Sequence, residues 1–241
     1  MKRTILLVCL ALLAFAVMLV VKLPASWVVA RLPPAIQCAP VSGTLWNGSC
    51  GSVVANGMPV GRLNWKLHAM RLFSGKLSAH VDLQRADAFV RGDVESSFDQ
   101  SEVTLRDVDA ALPIDPSIAR QFPPNLSGKG TAKLQMLQME KGIITAVRGR
   151  VEGRDLVQQY PLGSFAVTFP GNEGEPVGQI ESLGGPMDVE GTLRLTREPG
   201  FAVEGTVAPG ADIHPQLARQ LEYLGSPDER GRRPFSVAAT F

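Results

Sequence analysis

The stretch Gly61–Leu83, GRLNWKLHAMRLFSGKLSAHVDL, alternates apolar and polar side chains twice over. Leu63, Trp65 and Leu67 alternate with Asn64 and Lys66, and Leu77, Ala79, Val81 and Leu83 with Ser78, His80 and Asp82. Successive side chains of a strand point to opposite faces, so a period of two puts each apolar set on one side of a β-strand. The same period returns in Phe165, Val167 and Phe169, in Val189, Leu193 and Leu195, in Phe201, Val203 and Val207, and in Phe235, Val237, Ala239 and Phe241. Short strands of this kind, spaced roughly 10 to 15 residues apart, predict an all-β domain, mainly antiparallel, whose sheet has one apolar side that must be covered.

Glycine enters the pattern repeatedly, at Gly43, Gly61, Gly75, Gly130, Gly149, Gly191 and Gly205, each time just before an apolar strand residue or one position further from it. Glycine inside a strand marks a bulge, a bend or a close backbone approach, so its repetition predicts a strongly curved or folded-over sheet. Helical periods past the amino terminus are confined to PIDPSIARQF, Pro113 to Phe122, and HPQLARQLEYL, His214 to Leu224. These predict two short helices, too little helix for an α/β fold.

The amino terminus differs from the rest. Met1-Lys2-Arg3 precedes TILLVCLALLAFAVMLVV, an uncharged run of 18 residues from Thr4 to Val21. At about 1.5 Å per residue it spans most of a bilayer core of about 30 Å. A cleavable signal peptide has a shorter apolar region and a small-x-small cleavage site, and Lys22-Leu23-Pro24-Ala25-Ser26 makes a poor one. The expected organisation is a cytoplasmic tip at 1–3, a transmembrane anchor at 4–21, a connector at 22–40 and a β-domain at 41–241 across the membrane, with Lys2 and Arg3 keeping the tip inside. Cys9 lies within the run without a small residue before it, so it reads as an apolar membrane-facing side chain and not a lipid attachment site.

That topology gives Cys38 and Cys50 two readings. In a bacterium the far side is an oxidising periplasm, where cysteines twelve apart can form a structural disulfide; the alternative is two unpaired buried thiols. His68, His80 and His214 are scattered with no ligand spacing, so no metal site is expected. His214 opens a helix beside Pro215 and reads as a capping residue.

Lys plus Arg number 24 against 23 Asp plus Glu, so the chain as a whole lacks the basic field that neutralises phosphates, and nucleic acid is set aside as a partner. Gly128-Lys129-Gly130 does not continue into a dinucleotide fingerprint, and neither a phosphate-binding loop nor a nucleophile elbow is present. Asp107 and Asp109, two apart, would share a strand face, and Arg232 and Arg233 read as solubilising a loop. No catalytic residue, cofactor or small-molecule substrate is expected, and the chain does not read as an enzyme.

A short tip, one anchor, LPASWV, VSGTLWNGSC, GRLNWKL with its sequel RLFSGKL, and a closing YLGSPDERGRRPFSV follow in an order that resembles the type II secretion system protein N family. The family motif and core anchors on this resemblance are Gly43, Leu45, Trp46, Leu63, Trp65, Gly75 and Leu77. The resemblance implies an accessory component of the cell inner membrane in the machine that exports folded proteins from the periplasm across the outer membrane. Its partners would be other inner-membrane and periplasmic components of that apparatus and inner-membrane lipids. The competing reading is a periplasmic lipid-binding or lipid-transfer protein of AsmA-like or TamB-like type, for which Phe165, Val167, Phe169, Val203 and Val207 would line the interior or groove face. Between the tryptophans, Trp27 is expected at the membrane interface and Trp46 in the sheet core.

Overall fold

The computed structural model describes residues 2–31, 33–99, 101–115, 125–171, 174–196 and 200–240; within the helices, the side chains at 2–6, 8, 13, 16 and 28 are left undescribed. Among the described residues the protein is mainly antiparallel β, with fourteen strands and few short helices. Two compact units divide the chain, Met1–Ala86 and Asp87–Phe241.

The first unit begins with the apolar run, folded as one helix, α1 (Lys2–Val21), followed by α2 (Ala25–Val29). Among the described residues, which leave out the side chains at 2–6, 8, 13 and 16 of α1, no helix is long and apolar enough to cross a membrane. Strands β1 (Ile36–Cys38), β2 (Val41–Gly43), β3 (Asn47–Ala55) and β4 (Met58–Leu67) come next, then α3 (Ala69–Leu72) and β5 (Lys76–Arg85). The order is β1-β3-β4-β5, with β2 also paired to β3. Asn56-Gly57 joins β3 to β4 with φ of 51° and 81°, the pair of positive angles that a tight antiparallel turn requires. The register puts Trp65 opposite Gly48 and Val81, and Leu63 opposite Cys50 and Leu83, so the alternation read from sequence does gather one apolar face.

The second unit is a hairpin-by-hairpin meander. It comprises β6 (Ala88–Ser97), β7 (Glu102–Ile114), β8 (Ser127–Glu140), β9 (Ile143–Val157), β10 (Pro161–Pro170), β11 (Val177–Gly184), β12 (Met187–Thr196), β13 (Gly200–Pro209), α4 (Pro215–Leu221) and β14 (Arg233–Thr240), with the strands side by side in chain order. Cross-strand partners carry one apolar face through the unit: Val151, Val167 and Ile180 stand opposite one another, as do Leu193, Val203 and Val237. The other face is mostly polar, with Arg150 opposite Thr168 and Glu152 opposite Thr131.

Pairing shifts register at Gly92 and Gly163, and also next to the pairs that contain Gly61 and Gly149. Glycine thus sits where an extra residue must be absorbed into the ladder. Asp107 has φ of 50° at such an irregularity, so Asp107 and Asp109 do not form the simple same-face pair that an even strand would give. Of the two helices expected from sequence, the one at His214 to Leu224 is α4. The other, Pro113 to Phe122, begins on Pro113 and Ile114 at the end of β7, and its 116–124 segment lies outside the described residues. Helices α2 and α3 were not expected; each is five residues or fewer, too short to show a helical period.

Candidate functional site

Three backbone and side-chain ties join the end of α1 to the first β-hairpin. The Trp46 indole N–H donates to the Val20 carbonyl at 2.8 Å. The Leu45 N–H donates to the Leu23 carbonyl at 2.8 Å, and Pro24 bridges to Thr44. On the sheet side the Trp65 indole donates to the Leu45 carbonyl at 3.0 Å, and the Leu67 N–H to the Trp46 carbonyl at 2.8 Å. Cys38 and Cys50 are disulfide-bonded with Cα atoms 5.7 Å apart, and Cys50 is fully buried. Beside this junction an apolar groove of about 790 Å³ is lined by Val17, Val20 and Val21 of α1 and by Thr44, Trp46, Ala69, Leu72 and Phe73.

The geometry corrects the expected division of labour between the tryptophans. Trp46 does not enter the sheet core: its ring lies against the last turn of α1, where its N–H takes up one of the carbonyls that a helix end leaves unpaired. Trp65 holds the core position, its ring filling the space a side chain at Gly48 would need, with Cε2 only 2.6 Å from that Cβ position. Leu45 and Leu63 are half-buried, whereas Leu77 is 44 % exposed and is no core anchor. Gly43, the last residue of β2, and Gly75, in the turn before β5, have φ of 85° and 76°.

In the second unit the five residues expected on an interior face do share one side of the sheet. Phe169 and Val207 are buried at 6 % and 4 % exposure, while Phe165, Val167 and Val203 are half-buried. Phe169 and Val167 close over Gly178, whose missing side chain would meet the Phe169 ring at 2.8 Å. Helix α4 buries Leu217 and Leu221. It is capped by His214, whose Nδ1 accepts from the Gln216 N–H at 3.3 Å, and the Tyr160 ring stacks on His214 at 4.0 Å while its hydroxyl donates to Gln216. The Arg233 guanidinium closes the other end, donating to the carbonyls of Glu222, Leu224 and Gly225.

The opposite face is a ladder of ion pairs. Arg91 meets Asp109 at 2.8 Å, Arg150 lies between Glu152 and Glu181 at 2.8 and 2.7 Å, and Arg154 also reaches Glu152. Arg232, its side chain 18 % exposed, bridges Asp188 and Glu190 at 2.7 and 2.6 Å. Arg232 and Arg233 are therefore structural links and not loop solubilisers. The pairing of Asp188 and Glu190 on one polar strand face was the sequence signal for Arg232. Hydrogen bonds from Arg150 and then Arg154 hold the Glu152 carboxyl below its ordinary range, and those from Glu152 and Glu181 raise Arg150. Groups locked in opposite charge states by their neighbours are poor proton shuttles at neutral pH. Among the described residues no cluster of His, Cys, Asp and Glu could hold a metal ion.

The profile of the family described as type II secretion system (T2SS), protein N, matches residues 34–236. The chain is 27 % identical to the type II secretion system protein N of Aeromonas hydrophila, with 97 % of each chain covered. It is 26 % identical to the protein of that name from Vibrio cholerae serotype O1, strain ATCC 39315 / El Tor Inaba N16961, with 90 % of each covered. No solved structure matches the chain. The match of sequence profile across both β-units, with alignment over 97 % and 90 % of the chain to the two relatives, means that the chain belongs to the type II secretion system protein N family.

Proposed function

We propose that the protein is an accessory, non-enzymatic component of the type II secretion machine, anchored once in the cell inner membrane and acting by protein–protein contact in the export of folded proteins across the outer membrane. The observation that carries this reading is the surface of α1. Leu7, Leu10, Leu12, Phe15 and Met18 along it are each 61–66 % exposed. A helix showing that much apolar surface is stable in lipid and costly in water. Residues 1–3 then form the cytoplasmic tip, 4–21 the span, 22–40 the connector and 41–241 the periplasmic β-domain. The Cys38–Cys50 disulfide supports the oxidising side of the membrane for everything beyond the anchor.

Contact with other inner-membrane and periplasmic components of the apparatus is assigned to β14, the last strand in the order. Its residues are mostly exposed, and its outer edge is open to strand addition. A strongly curved or folded-over sheet is supported by the glycine-associated register shifts. In a strain lacking the protein, export of folded proteins should fall and return with the intact chain. A photo-crosslinker at Val237 should trap another component of the apparatus. A reporter fused after Phe241 should be active only when exported, and a soluble mature form beginning near Ala25 would overturn the anchor.

Lipid handling of AsmA-like or TamB-like type remains as a second reading, favoured by one observation. The apolar face of the second unit is largely half-buried, and α4 is the one described helix that packs on β13. Lipid in place of protein on the Val237 crosslinker would favour it.

A further inference from the structure

The groove beside Trp46 is formed by two segments at one level: the final turn of α1 and the α3 turn. Val17 is four residues before Val21, about 6 Å back along the helix. Leu72 and Phe73, which line the groove with it, therefore lie at the depth of that last turn and not beyond it. Phe73 is 89 % exposed and Met70 80 %, the two most exposed large apolar side chains among the described residues of this unit. Charge points the same way. Residues 22–86, the part of this unit beyond α1, contain seven Lys or Arg and a single acid, Asp82, for a net charge of +6, although the whole chain carries only +1. Lys22, Lys66, Arg71 and Lys76 among them are exposed.

We infer that this unit makes a second membrane contact: Met70 and Phe73 insert at the boundary between headgroups and acyl chains beside the anchor, and the surrounding cations hold anionic phospholipid headgroups. The inference rests on α1 being a membrane anchor and adds to it a seat for the β-unit. An apolar tip whose flanks are basic fits an anionic lipid surface, which offers acyl chains and negative charge at adjacent depths. Trp27, 65 % exposed just past the anchor, supplies an interfacial aromatic on the same unit.

The test uses the full chain, with Cys9→Ser, in vesicles of zwitterionic phospholipid or of zwitterionic and anionic phospholipid mixed, and a nitroxide on Ser74→Cys. Depth is read by relaxation with oxygen, which enters the acyl region, and with a water-soluble nickel chelate. The expected result is contact with oxygen and shielding from the chelate, stronger with anionic lipid and reduced by salt. Phe73→Ser should lower the shielded fraction by about tenfold, since it removes the large apolar side chain whose transfer into lipid holds the tip; at its exposure the change leaves the fold intact. A chelate-accessible nitroxide on a chain that stays with the vesicles overturns the seat and leaves the anchor. Loss of the chain from the vesicles overturns both. Shielding from oxygen and chelate alike points to a second copy of the chain in the groove and also overturns the proposal, and indifference to lipid charge overturns the headgroup contact.

Discussion

The two units use the same β-grammar against opposite backgrounds of charge. Residues 1–86 carry nine basic side chains and one acid, while residues 87–241 carry 15 basic and 22 acidic, a net of −7. In both, a period-two apolar face forms and an aromatic ring closes over a glycine, Trp65 over Gly48 and Phe169 over Gly178. The polar faces differ. The second unit neutralises its own, with Arg91, Arg150, Arg154 and Arg232 each set against carboxylates, whereas the first has almost no carboxylate with which to do so. The ties differ as well: covalent and backbone links in the first unit, lateral ion pairs in the second. Sheet patterning thus fixes which face is apolar, and the charge of the remaining surface decides what the sheet is suited to meet.

The largest test of this contrast is to cut the covalent tie. Cys50→Ser should cost about 3 kcal/mol in the chain-entropy account of loop closure. Hydrogen exchange should accelerate through β1 to β5 while β8 to β13 keep their protection; equal loss in both would erase the distinction between the units. Next, Val167→Asp places a carboxylate on the half-buried apolar face and should cost about 2 kcal/mol of thermal stability if that face is packed. Unchanged melting with loss of copurified lipid would instead identify an open groove. Trp46→Phe removes the indole bond to Val20 together with part of the ring and should cost about 1 kcal/mol for the bond plus the lost packing, confined to the junction, as read by exchange of the Leu45 and Leu67 amides.

The smallest effect is an acid one in the second unit. Hydrogen bonds from Ser97 and then Ser101 hold the Asp99 carboxyl down from 3.8 to about 2. A carboxyl lowered on folding contributes above its unfolded pKa and loses that contribution as pH falls through its folded one. The gain is therefore full above about pH 4 and gone below about pH 2. Asp99→Asn should flatten the acid limb of a melting-temperature titration over that window, slightly, since the group is exposed.

The strands and their apolar faces were legible because period two is a local property that each hairpin repeats. The disulfide partners were legible from compartment and spacing, with the choice between bonded and free left open. Trp46 was not, because alternation names a face but not its cover, and the carbonyl it binds is 26 residues away with no sequence mark. Helix α3 was hidden by its brevity, and Met70 and Phe73 drew no notice because isolated apolar residues on a surface are ordinary. The basic character of the first unit was masked by whole-chain totals that nearly cancel.

The ties at the junction also set the length of a leash. The 19 residues from Lys22 to Pro40 could reach ~60 Å if extended. The bond between Leu23 and Leu45 leaves little slack between the end of α1 and the hairpin. If α1 is the membrane anchor proposed above, the β-hairpin cannot drift away from the bilayer. It would then be confined to a thin layer at the bilayer surface and would search for partners in two dimensions, where tethering raises the effective concentration of anything anchored alongside it.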